Sequence, residues 1–273
     1  MPLMREMPLV QTPASQRWLR QQWWLLASAA LVLAYVFQRT ELDLWLEGRF
    51  YDAGRAVFPL RQHWLFEAVL HKGAKWLTYL AVAAAMGVCW LGWRGRLPWL
   101  PRRNVLLAAA GMVVIPLSVT LLKLMTGRHC PWDMAQFGGS LPYMRLLDPL
   151  PADVKPGQCF PAGHAATGFL WVVWGIALRP AGRRWAWVGL AGGLLLGGTL
   201  GAARMAQGAH FLSHTLATLW VAWAVSLLLA WALGADVRLA SAAPRQSQED
   251  CPRHRRPPPE RDSQLSRDGL DRL

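Results

Sequence analysis

The 273-residue chain is 53% hydrophobic and only 16% charged, where an ordinary soluble domain carries about 25% charged residues. Its formal net charge of +13 sits in terminal tails and short connectors, not on one face of a folded module, which argues against a nucleic-acid binder. The 17 Trp residues fit a membrane protein instead, because indole rings settle at membrane–water interfaces.

In chain order, a basic tail over residues 1–22 leads to six apolar stretches near the length needed to cross a bilayer, about 20 residues. They run Trp23–Gln38, Lys75–Trp93, Asn104–Met125, Ala162–Leu178, Trp185–Met205 and Phe211–Leu233. The first follows a long preceding segment and reads as an uncleaved helix, not a signal peptide. Pro116 interrupts the hydrogen-bond ladder of the third. In the fifth, Gly192, Gly193, Gly197, Gly198 and Gly201 suit close helix packing in lipid. The expected fold is all-α, a polytopic bundle over residues 23–236, followed by a polar, Pro-rich tail over 237–273 that cannot bury a core.

Arginines fix an expected orientation. Arg17 and Arg20, Arg94 to Arg103, Arg179 to Arg184 and Arg238 onward fall on one side of a six-span layout, and the positive-inside rule makes that side cytoplasmic. The opposite side receives residues 39–74, 126–161 and 207–210. The first of these mixes apolar residues with Glu41, Asp43, Glu47 and Arg49, as either an amphipathic surface helix or an ordinary loop.

Polar residues gather on that opposite side. Lys123 and Arg128 to Asp133 follow the third stretch, His164 opens the fourth, Arg204 ends the fifth, and His210 and His214 open the sixth. Ionisable groups converging at one membrane level point to function. Phosphoryl transfer suits this set. Cations hold the spreading negative charge of its transition state, one imidazole attacks phosphorus, and a second protonates the leaving oxygen. Gly163 and the start of the fourth helix add backbone donors for an anion. Two other readings compete. One is a metal-binding enzyme, since His210 and His214 share a helix face and His129, Cys130, Cys159 and His164 stand near them in the layout. The other is a lipid-binding relative without catalysis.

Three motifs resemble those of the type 2 phosphatidic acid phosphatases (PAP2), relatives of the vanadium-dependent haloperoxidases. The first is Lys, six residues, Arg-Pro; here Lys123 and Pro131 match and Cys130 stands for the arginine, with Arg128 two residues earlier. The second is Pro-Ser-Gly-His, read here as Pro161-Ala162-Gly163-His164. The third is Ser-Arg, five residues, His, three residues, Asp; Arg204 and His210 match, while Ala203 and His214 replace the serine and the aspartate.

The resemblance implies a PAP2/haloperoxidase-like bundle in which His210 is the nucleophile and His164 the general acid. Lys123, Arg204, Gly163 and Arg128 would hold the phosphate. His214, or Asp133 from elsewhere, would take the orienting role of the missing aspartate. It also implies that Cys130 and Cys159 approach one phosphate and join in a disulfide, while Cys89 and Cys251 stay unpaired. The expected activity is metal-independent, cofactor-free hydrolysis or transfer on a phosphorylated lipid. The expected setting is a bacterial inner membrane, with the site facing the periplasm, both termini cytoplasmic and membrane lipids as neighbours.

Overall fold

A computed structural model describes residues 12–64 and 73–239. Helix α1 spans Pro13–Arg39, and the short α2 spans Leu42–Glu47. Helix α3 spans Ala74–Trp93 and α4 spans Arg102–Thr126. After a long loop come α5 (Gly163–Phe169), a 3-10 stretch (Leu170–Val173) and α6 (Trp174–Ala177), then α7 (Arg183–Ala206) and α8 (Leu212–Ala232). Among the described residues there is no β-strand. The all-helical expectation is met.

Three helices, α4, α7 and α8, are long and apolar enough to cross a membrane; Thr78–Trp93 and Gly163–Ala177 are apolar but shorter. The six expected stretches are therefore all helical, and among the described residues three of them combine the length and apolarity to span. Two differences have local causes. Thr12 caps α1, its hydroxyl accepting from Ser15 N–H at 3.3 Å, so this helix starts ten residues before the apolar run and takes in Arg17 and Arg20. The α5–α6 segment changes to 3-10 geometry midway and lies almost wholly inside the bundle, with Val172, Val173, Ile176 and Ala177 at 0% exposure. An element wrapped by its neighbours need not match a bilayer on its own.

That segment is the axis of the bundle. It packs against α7 on one side and α4 and α8 on others, while α1 and α3 lie outside against α8 and α4. The approach to α7 is backbone on backbone. A Cβ on Gly168 would fall 2.3 Å from the Gly197 nitrogen, and one on Gly197 would fall 2.2 Å from the Phe169 ring. Gly193 has a similarly close neighbour in Val172, whereas Gly192 and Gly198 face open space. The glycine-rich stretch thus has a packing face and a free face.

At one end of the bundle, Asn104 is fully buried. Its amide donates to the Ala177 and Asp236 carbonyls at 3.1 and 2.9 Å, and its oxygen accepts from Asp236 N–H at 2.9 Å. The packed chain accordingly continues to Val237, which is 1% exposed. The rest of the expected tail, residues 240–273 with Cys251, lies outside the described residues, as do residues 1–11. Cys89 is buried and unpaired.

The alternatives for residues 39–74 also resolve in part. Within residues 40–64, Leu42–Glu47 and Trp64 are helical, and Asp43 and Glu47 do not face outward, being 4% and 0% exposed. Residues 65–72 of the same stretch lie outside the described residues, and over Leu42–Glu47 the helix is short and turns its acids inward. The reason lies at α8. Asp43 Oδ1 accepts from Ser213 N–H at 3.0 Å, satisfying a donor that the first turn of α8 would otherwise leave unpaired.

Candidate active site

The other end of the bundle gathers the polar residues. Helix α4 stops at Gly127, whose left-handed φ of 64° turns the chain away just after Lys123. The chain then pairs with the segment leading into α5: Gly157 N–H donates to the Gly127 carbonyl at 2.9 Å and Cys159 N–H to the Arg128 carbonyl at 2.8 Å. Cys130 and Cys159, brought side by side, form the expected disulfide.

Helix α5 is tied to α8 at the same level. Ala162 N–H donates to the His214 carbonyl at 3.2 Å, and the Thr218 hydroxyl lies 3.1 and 2.9 Å from the Ala162 and His214 carbonyls. His164 therefore starts one helix beside the first turn of another. Lys123 completes the approach. Its Nζ lies 3.3 Å from where a Cβ on Gly163 would be, so a glycine here lets the ammonium sit against the start of α5.

His210 occupies the connection between α7 and α8 and is 4% exposed. Its ring centroid lies 6.4 Å from that of His164 and 5.8 Å from that of His214. Its Nδ1 is 3.3 Å from Cys159 Sγ. A disulfide sulfur has no proton to give, so this contact is an N–H directed at sulfur, which leaves Nε2 with its lone pair. Burial first, and then the positive character of His214, Lys123, Arg204 and His164, hold the His210 imidazole well below its ordinary pKa. It is neutral near pH 7. Every charged or titratable group acting on it is basic.

His214 stands where the motif has its aspartate. It is buried, packed edge-on against Phe160 at 5.2 Å and Phe211 at 5.4 Å, with Nδ1 lacking a hydrogen-bond partner among the described residues. Asp133 is engaged elsewhere, accepting from Cys130 N–H at 3.3 Å. Arg128 lies at the edge of the cluster. Its Nη2 donates to the carbonyls of Leu146 (3.0 Å) and Asp148, while Nη1 is buried without a partner among the described residues. Half of this guanidinium thus holds a loop. Gln38 holds the same loop from α1, donating to Asp148 at 2.7 Å and accepting from Leu147 N–H at 2.8 Å.

Several residues of this end escaped the sequence reading. Gln207, 1% exposed, accepts from Arg204 Nη1 at 2.8 Å and donates to the Arg61 carbonyl at 3.3 Å. The Arg204 and Arg61 guanidiniums lie 5.8 and 4.4 Å from the Trp132 ring centroid. Gly208, at φ 74°, lets the Phe58 ring pack where a Cβ would stand, and its carbonyl accepts from Trp132 N–H at 3.0 Å. The only sequence signal for Gln207 was its place between Arg204 and His210; Asp43 and Trp132 fell on the right side of the layout without a role, and Arg61 gave no signal.

A metal reading also has a geometric basis, since atoms of Cys159, His210 and His214 lie within 4.8 Å of one another. The donor chemistry fits poorly. The Cys159 sulfur is bonded to Cys130 and is no thiolate, so two imidazoles remain, beside Lys123 and Arg204.

A model of the PAP2 superfamily matches residues 104–238, from the buried Asn104 to just past α8, and takes in all three motifs. The chain belongs to that superfamily. Comparison with curated proteins and with solved structures gives no match. The family supports phosphatase chemistry on a phosphorylated substrate and, with three apolar helices of spanning length, association with a membrane.

Proposed function

We propose that this protein is a six-span membrane phosphatase or phosphotransferase that acts on a phosphorylated lipid through a phosphohistidine formed on His210. The observation that carries the reading is the convergence of Lys123, His164 and Arg204, from three different helices, on one buried neutral imidazole. His210 Nε2 attacks phosphorus while Lys123, Arg204 and the N–H groups opening α5 hold the phosphoryl oxygens. His164 protonates the departing oxygen. The same imidazole then takes a proton from the water or acceptor hydroxyl that breaks the nitrogen–phosphorus bond. No metal or cofactor enters this scheme.

The lipid assignment rests on the apolar helices and on a site at one end of them, where a phosphate would stand at the interface with its chain in lipid. The arginine-rich connectors support a reading in which that end faces the periplasm of a bacterial inner membrane and both termini face the cytoplasm. The membrane domain of this scheme is residues 23–236.

The deciding experiment is release of inorganic phosphate from a panel of lipid phosphates by the purified protein, wild type beside His210→Ala. Acid-labile, alkali-stable labelling of the wild type by a substrate carrying radioactive phosphate is expected, with none in the variant. Equal release by the two proteins overturns the assignment of His210.

A further inference from the structure

Arg61 lies outside all three motifs, on the loop that follows α2, and is exposed. Its guanidinium nevertheless has a fixed place. It stacks on the Trp132 indole at 4.4 Å, and the Arg204 guanidinium lies 5.8 Å from the same ring. The backbone beneath it is anchored as well, because Gln207 joins the Arg61 carbonyl to Arg204 Nη1 through one buried amide. Phe58, three residues earlier, is buried over Gly208. Among the described residues Arg61 forms no ion pair with a carboxylate. Stacking on an aromatic face leaves the in-plane N–H edge of a guanidinium unsatisfied and directed outward, the geometry that receives a phosphate or carboxylate. The result is a preorganised cation one indole away from the arginine assigned to the reacting phosphoryl group, on a loop held to that arginine.

We propose that Arg61, seated on Trp132, is a second anion-binding point that selects substrates carrying a further phosphoryl group next to the one transferred. The proposal rests on the assignment of Arg204 to the reacting phosphoryl group. On such a diphosphate, His210 Nε2 bonds to the terminal phosphorus as the bond from that phosphorus to the bridging oxygen breaks. The electron pair leaves on the inner phosphate, whose charge Arg61 faces. Water then cleaves the nitrogen–phosphorus bond, so the products are inorganic phosphate and the monophosphate ester. A singly phosphorylated substrate engages Lys123, Arg204 and the start of α5 without Arg61.

The test is binding of inorganic pyrophosphate and of orthophosphate to the intact protein in detergent, by calorimetry, with wild type beside Arg61→Gln. Arg61 is exposed, so the substitution leaves folding intact, and Arg61→Lys serves as a second variant that keeps charge but not the planar fork. The wild type is expected to prefer pyrophosphate, and Arg61→Gln to lower the ratio of pyrophosphate to orthophosphate affinity about tenfold, the loss of one charge-assisted contact; Arg61→Lys should fall between. An unchanged ratio in Arg61→Gln, or no preference in the wild type, overturns the proposal. Neither measurement needs turnover, so failure here is separable from failure of His210→Ala to abolish phosphate release.

Discussion

The two ends of the bundle use buried polar groups in opposite ways. At the Asn104 end one buried amide is fully used, making three hydrogen bonds that join α4, α6 and the segment after α8. In α6 the Trp174 indole N–H alone is left without a partner among the described residues. At the histidine end, Glu47, Arg128, His129, His214 and Thr215 each have a buried polar atom without a partner among the described residues. Most buried polar groups in proteins are hydrogen-bonded, and a cluster of exceptions calls for an explanation. The Asn104 end closes the bundle. The histidine end stays open in its hydrogen bonding to whatever the site receives.

The sharpest break of this comparison is catalytic. His210→Ala should lower phosphate release at least about a thousandfold, the scale expected for removing a nucleophile, while its melting temperature stays near that of wild type. Asn104→Ala should do the reverse. It strands the Ala177 and Asp236 backbone groups and should cost about 1–3 kcal/mol of stability, read as a lower melting temperature, with phosphate release per folded molecule little changed. Loss of turnover in folded Asn104→Ala would erase the distinction between the ends.

Gly197→Ala probes the middle, where overpacking against Phe169 should cost about 1–3 kcal/mol. At α8, Asp43→Ala removes a cap contributing about 1 kcal/mol and should slow turnover severalfold by loosening the turn that carries His214. Asp43→Asn keeps an acceptor oxygen and should restore most of it.

The last effect is a pH dependence. Burial, and then the charge of Asp43, push the Glu47 carboxyl from 4.5 to about 9. Asp43 itself, through burial, is raised from 3.8 to about 6. A folded state that holds its proton more tightly than the unfolded chain loses stability as pH rises between the two values. Glu47 should therefore penalise the fold progressively from pH 4.5 to about 9. Glu47→Gln should melt higher than wild type at pH 8 and level with it near pH 4. A gap that does not grow with pH would place the Glu47 carboxylate in contact with a cation or donor.

Much of the histidine end was legible in the sequence because its groups lie at helix ends, at spacings that motifs record. Lys123, His164, Arg204 and His210 needed only the order of the helices to meet, and the disulfide followed from that meeting. What was not legible depends on contacts across long stretches of chain. Asp43 caps a helix 170 residues away, and its apolar neighbours gave a surface-helix pattern. An apolar run alone also does not distinguish a helix that faces lipid from the α5–α6 segment that faces other helices. Arg128 was credited with its charge alone; its short reach to the Leu146 and Asp148 carbonyls emerges only from the folded loop.

The contact between Gly168 and Gly197 bears on how the site can adapt. With backbone against backbone, α5 and α7 have no side-chain layer between them to yield, so His164 and Arg204 ride on what is mechanically one piece. Substrates of different bulk cannot be accommodated by parting these helices. Tolerance then falls to the long connection between α4 and α5, whose Leu146–Asp148 turn both Gln38 and Arg128 hold. The protein is thus a fixed anvil faced by an adjustable jaw, and variants that broaden or narrow substrate choice should map to the jaw.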